Sequence, residues 1–191
     1  MSINLQPAAE SPVLQEHLPC IGCAYDLVGM SRNGTTFGIR LAGTGDRWFL
    51  APAPPVGDAL YHSGFGPRDA ALDIGDSAVL ELVGLGGAAA AASPAVAAFV
   101  GGTIADAVAV TEAVDRICVA RSGRFKLPFL DYRGSPIGVD VRKVVEMEIS
   151  PSINTGILHV SAGTGQVGAG VARAPIACFR EALLALDASL R

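Results

Sequence analysis

Thr36-Phe37-Gly38-Ile39-Arg40-Leu41-Ala42, then Gly43-Thr44-Gly45-Asp46, then Trp48-Phe49-Leu50, is the stretch that decides the fold class. Phe37, Ile39 and Leu41 alternate with Thr36, Gly38 and Arg40, which is the period of a strand with one buried face. The glycine-rich tetrapeptide supplies a turn. Pro52, Pro54 and Pro55 end the second strand by removing ladder donors. A strand that returns through a short turn makes a hairpin, and strands and helices then mingle without regular βαβ alternation. That order points to an α+β fold and away from a doubly wound parallel sheet.

Working outward, residues 56–76 form a long polar loop rich in Gly, Pro and Asp, and residues 77–83 read as a short strand. Gly84 to Gly87 open an Ala-rich helix to Ala92, and Ser93-Pro94 restart a helix that Gly101-Gly102 stop. Thr103 caps a longer helix, with Asp106 three residues on and Ile104, Val108, Val114, Ile117 and Cys118 favouring one face. Residues 125–132 read as a strand and residues 140–147 as a short helix beginning at Asp140. A strand over residues 153–160 leads into a glycine-rich loop, residues 161–170. Ala174-Pro175 then begin a C-terminal amphipathic helix, in which Ile176, Phe179, Leu183, Leu186 and Leu190 recur at steps of three and four. The expected architecture is a mixed sheet with packed helices, the Ala/Gly-rich ones buried. Residues 1–23 serve as a leader or packing arm, and residues 24–191 form one domain.

Composition narrows the function classes. Half of the 191 residues are apolar and 17% are charged, so partner subunits are expected to cover apolar surface. The net charge of -4 comes from scattered carboxylates without a basic run, which argues against nucleic acid. Residues 82–105 carry no charge and are long enough to span a bilayer, yet glycines and Pro94 interrupt them and Ala supplies most of the rest. They read as buried helices, and no membrane partner is expected. Glu10 and Glu16 near the N-terminus do not suit a secretory signal, so the cytoplasm is the expected compartment. Cys20 and Cys23 form a lone CxxC, with Cys118 and Cys178 far downstream. One such pair is short of the four ligands zinc usually takes, so reduced, metal-free cysteines are expected, with no cofactor.

Several constellations could carry chemistry. Gly163-Thr164-Gly165-Gln166-Val167-Gly168 fits GxGxxG after a strand, but too little chain follows for the second strand and acidic residue of a dinucleotide site. Two readings stay open: backbone donors of Gly163, Gly165, Gln166 and Gly168 approaching a small anion or carbonyl, or a tight packing turn. Asp46-Arg47-Trp48 could hold a carboxylate or phosphate beside an aromatic shield, or could be an internal ion pair. Asp73, Asp76 and Glu81 form an acidic run whose spacing does not suit a Mg²⁺ loop. Glu81 stands among apolar residues, so its carboxylate needs a partner or a function. Asn154 and His159 share a strand beside the glycine loop, and His159 could move protons or simply be a satisfied structural histidine.

The runs Val28-Gly29-Met30-Ser31-Arg32-Asn33-Gly34-Thr35, Gly43-Thr44-Gly45-Asp46-Arg47-Trp48-Phe49, Asp73-Ile74-Gly75-Asp76-Ser77-Ala78 and Phe99-Val100-Gly101-Gly102-Thr103 go further. With Asp131-Tyr132-Arg133-Gly134-Ser135-Pro136, Val141-Arg142-Lys143-Val144-Val145-Glu146, Ile153-Asn154-Thr155-Gly156-Ile157 and Gly165-Gln166-Val167-Gly168-Ala169-Gly170, they resemble the C-terminal half of the YlbE/AllG-like family. The resemblance implies a subunit associated with oxamate carbamoyltransferase, which exchanges a carbamoyl group between oxalurate and phosphate in allantoin breakdown. Partners would be a small anionic substrate and either further copies or other carbamoyltransferase subunits. Arg47, Arg133 and Arg142 would neutralise phosphate charge, and Glu81 or His159 would act as base. The chain departs from the family at Val160-Ser161-Ala162, where a Lys-Glu-Pro generally follows the histidine. Two alternatives stand beside this: a non-catalytic structural or regulatory subunit, and a truncated paralogue without activity of its own.

Overall fold

In the computed structural model, which describes residues 24–93 and 102–189, the hairpin forms as expected and sits inside a larger sheet. Strand β2 (Thr36–Leu41) pairs antiparallel with β3 (Phe49–Pro52), Ile39 facing Phe49. On its other side β2 pairs with β1 (Leu27–Asn33), and the short β5 (Ile74–Gly75) closes the order β3-β2-β1-β5. Phe37, Ile39, Leu41 and Phe49 are buried, as the alternation requires. Gly29 and Gly38 leave a groove that the Trp48 ring fills: a Cβ at either would come within 3.1 Å of that ring.

The second sheet is β4 (Gly57–Tyr61), β9 (Gln166–Arg173) and β8 (Ser152–Leu158), in the order β4-β9-β8. The third is the ribbon of β6 (Cys118–Leu127) and β7 (Arg133–Val139). The α+β class stands, but every pairing among these strands is antiparallel, so three antiparallel sheets replace the expected mixed one. β1–β2, β2–β3, β6–β7 and β8–β9 are consecutive in the chain, whereas β1–β5 and β4–β9 join strands far apart in sequence.

Among the described residues, four α-helices cover the sheets: α1 (Ser77–Leu82), α2 (Ile104–Ile117), α3 (Val141–Met147) and α4 (Ile176–Ser189). Helix α2 starts with the foreseen capping box, in which Asp106 accepts from the Thr103 N–H at 2.7 Å and Thr103 Oγ1 accepts from the Asp106 N–H at 3.2 Å. Asp140 caps α3 by accepting from the Arg142 N–H at 2.8 Å. Helix α4 sends Cys178, Phe179, Ala182 and Leu186 into the main core beside Phe37, Ile39 and Phe49.

The sequence reading needs correcting at five places. Residues 77–82 are helix, not strand, because Ala78, Glu81 and Leu82 recur at helical spacing and bury that face. The Ala-rich segment is 3-10 helix over Gly86–Ala92, with a kink at Ala89. The strand placed at residues 125–132 begins earlier and ends at Leu127, where Pro128 starts a 3-10 turn. Half of the expected glycine loop, from Gln166 on, is strand β9, and part of the long polar loop is β4. The Pro94 helix restart, Cys20, Cys23 and Leu190 lie outside the described residues. No helix among the described residues is long and apolar enough to cross a membrane.

Candidate functional site

Where β5, the edge of the first sheet, approaches β8, the edge of the second, a cleft of about 350 Å³ opens. Residues 74–77 form one wall, Asn154, Thr155, Gly156 and Leu158 another, and Ala169 and Gly170 close it. Behind the lining, Arg32 of β1, which is 1% exposed, bonds to three of these residues. The Arg32 guanidinium donates from Nε to Asp73 Oδ2 at 2.9 Å, from Nη1 to the Gly75 carbonyl at 3.2 Å and from Nη2 to Thr155 Oγ1 at 3.0 Å. Nη2 also donates to Ser77 Oγ. One side chain on the first sheet thereby fixes the start of α1 and the middle of β8, the two walls of the cleft. A buried ion pair is tolerated only when such extra bonds occupy the remaining donors. Burial pushes the Asp73 carboxyl above the usual carboxylate range, against the pull of Arg32 and Thr155.

Glu81 lies behind the same wall, 5% exposed. Its carboxylate accepts from the backbone N–H of Gly87 at 2.9 Å, of Ala88 at 3.3 Å and of Asn154 at 3.2 Å. Desolvation outweighs those three donors and pushes its pKa up to about 8. The fit is close: Gly86 has a φ of +67°, and a Cβ there would lie 2.1 Å from Glu81 Oε1. Glu81 therefore staples the 3-10 segment to β8 immediately behind Asn154.

The other residues singled out from the sequence are dispersed. His159 follows β8; its Nδ1 accepts from the Ser161 N–H at 2.8 Å, so the proton sits on Nε2, which faces Asp69 Oδ1 at 3.8 Å. Phe65 packs edge-on to the imidazole. Asp69 is itself held by the Gly66 N–H at 2.8 Å. Gly163 and Gly165 occupy the turn between β8 and β9, where an added Cβ would meet nothing within 4 Å. Gln166 folds over Gly156 and donates to the Gly168 carbonyl at 2.9 Å, shaping the strand beside the cleft.

Arg47 precedes β3, at the opposite edge of the first sheet from β5. Its guanidinium sits 4.7 Å from the Phe49 ring centre and 3.9 Å from Glu181. Asp46, fully exposed, pairs with Arg40 at 3.0 Å rather than with its neighbour. Arg142 clasps Asp140 and stacks on Tyr25 at 4.0 Å. Arg133 starts β7, with Nε and Nη2 buried and without acceptors. Of the residues expected to bind ligand, Asn154 alone lines the cleft.

What the sequence reading passed over is Arg32, with Ser77 and Thr155 as its partners. A signal existed: Arg32 stands two residues after buried Met30 in a strand, hence on the inward face, where a cation needs a partner. Cys118 and Cys178 are buried free thiols, which burial pushes up to about 12 and about 11.

Comparison with known proteins gives this geometry its context. The sequence model of a family described as "Oxamate carbamoyltransferase subunit AllG" matches residues 26–77, the segment that carries Arg32, Asp73 and Ser77. The chain is 48% identical over 166 residues to the oxamate carbamoyltransferase subunit AllG of Escherichia coli (strain K12), covering 86% of this chain and 39% of that protein. It is 41% identical over 155 residues to the uncharacterized protein YahG of the same organism, covering 81% of this chain and 33% of YahG. A crystal structure of a conserved protein of unknown function from Enterococcus faecalis V583 superposes with a TM-score of 0.83 at 42% identity, over 87% of this chain and 40% of that one. The chain thus spans between a third and two fifths of the length of the relatives it matches. At 48% identity across 86% of its own residues, it belongs to the AllG-like family.

Proposed function

We propose that this chain works as part of a carbamoyltransferase-type assembly, and that the cleft above Arg32 holds the amide-bearing substrate of the oxamate or oxalurate class. The observation that carries the reading is the convergence on one buried guanidinium of Ser77 and Thr155, two hydroxyls that line the cleft beside the Asn154 amide. Hydroxyls and a primary amide both donate and accept, as a planar amide substrate does, and fixing them in advance lowers the cost of binding. In the direction that forms carbamoyl phosphate, a phosphate oxygen attacks the carbamoyl carbon of oxalurate. The bond from that carbon to nitrogen breaks, and the departing oxamate nitrogen takes a proton. Of the two proposed bases, His159 has Nδ1 engaged by the Ser161 N–H and its Nε2 proton facing Asp69, and Glu81 spends its carboxylate on three backbone donors, so neither offers a free lone pair and the proton taken by the departing nitrogen comes from the attacking hydrogen phosphate. Glu81 fits a positioning role, holding β8 at Asn154.

Reconstitution with co-expressed companion subunits tests this through the rate of carbamoyl phosphate formation. Asn154→Ala, at a half-buried position in the cleft wall, should lower kcat/KM by about tenfold, the scale of one hydrogen bond. An unchanged kcat/KM in the folded variant would remove the cleft from the reaction. A second reading, a non-catalytic structural or regulatory subunit, draws on the internal use of Arg32 and Glu81, whose polar atoms bond to the protein itself. Transfer activity in an assembly from which this chain is omitted would favour it.

A further inference from the structure

The charges around the cleft bear on which end of a substrate it can take. Asp76 is the charged residue in its lining, and among the described residues no Lys or Arg joins it there. Asp76 is exposed at the start of α1 and makes no capping hydrogen bond, so its carboxylate is left facing solvent at the lip. Beneath, Arg32 supplies one cation, but Asp73 answers it at 2.9 Å and four acceptors occupy its donors. One committed cation, paired with Asp73 and facing the further carboxylate of Asp76 at the lip, leaves no surplus positive charge. A phosphate, carrying more than one negative charge near neutral pH, would meet like charge and no free guanidinium or ammonium.

The rest of the lining suits an uncharged group. Ser77, Asn154 and Thr155 offer paired donors and acceptors, Gly75, Gly156 and Gly170 expose backbone, and Ile74, Leu158 and Ala169 are apolar. From this, and resting on the cleft reading above, we propose that the cleft receives the uncharged amide end of a carbamoyl- or ureido-bearing molecule, its anionic end turned outward. The phosphate that accepts or donates the carbamoyl group is then held by cations outside this cleft, which forms only the amide-binding part of the transfer site.

Ligand-observed NMR on the full chain tests this with three probes: N-methylurea, oxamate and inorganic phosphate. The methyl signal of N-methylurea should broaden in the presence of the chain and sharpen again when oxamate is added, while a roughly tenfold excess of phosphate leaves it broad. Asp76→Lys, at an exposed position that the fold does not use, should bring phosphate into competition. Displacement of N-methylurea by phosphate from the unaltered chain would overturn the inference and leave the cleft reading intact. If the N-methylurea signal does not broaden, or oxamate fails to sharpen it, the cleft reading falls and takes the inference with it.

Discussion

At the scale of single residues, Arg32 carries more of this molecule than its place near the end of β1 suggests, because it ties two sheets through Asp73, Gly75, Ser77 and Thr155. Removing one member of a buried pair strands the other charge without water. Asp73→Asn should therefore cost about 3 to 5 kcal/mol in urea denaturation, whereas a surface pair such as Arg47 with Glu181 should cost under about 1 kcal/mol on Arg47→Ala. Equal, small costs would show that Arg32 is not the keystone. Glu81 gives a pH prediction with a definite sign. Its pKa is raised from 4.5 to about 8 by burial, so the folded state holds the proton more tightly than the unfolded chain. That contribution is complete below the unfolded value and is lost as pH rises through about 8. The melting temperature should fall between pH 5 and pH 8.5, measured by scanning calorimetry at fixed ionic strength, and the fall should shrink in Glu81→Gln. A wild-type profile that rises over that window would contradict the assignment.

Secondary-structure elements show where sequence patterns carry information. Helix α2 was legible because Thr103 and Asp106 form a local capping box, and local bonds leave local signatures. Thr103→Ala should lower stability by about 1 kcal/mol, read as a shift in denaturation midpoint with unchanged slope. The central hairpin and α4 were legible for the same reason, since period two and steps of three and four are set by the elements themselves. The misread stretch at residues 77–82 has Val79-Leu80 before Glu81 and Leu82 after it, which reads as strand when the neighbours are unknown. Its helix is fixed from a distance, by the Arg32 bond to Ser77 and the Glu81 bonds to Gly87 and Asn154. The same long-range origin hid the cleft. Ser77 and Thr155 lie 78 positions apart and meet only through Arg32, so no spacing in the sequence joins them. Gly86→Ala is the sharpest test at this scale, because the new Cβ would enter the Glu81 carboxylate at a left-handed backbone position. It should destabilise by more than Thr103→Ala; equal effects would mean that the staple is dispensable.

For the whole molecule, the apolar composition that pointed to partners is matched by exposed Leu184, Tyr132, Val160, Phe129 and Leu50. Light scattering at micromolar concentration should report a dimer or larger species, or a monomer that assembles when companion subunits are added. A chain that stays monomeric in both conditions would remove the assembly from the account. The two sheets meet at β5 and β8, so the cleft is a product of the entire fold and depends on both halves being in register. Amide-resolved NMR during titration of the chain with oxamate tests the central claim most directly. Shifts concentrated at Gly75, Ser77, Asn154, Thr155, Gly156 and Gly170 are the result predicted here; no shifts, or shifts centred on Arg47 and the β3 edge, would contradict it.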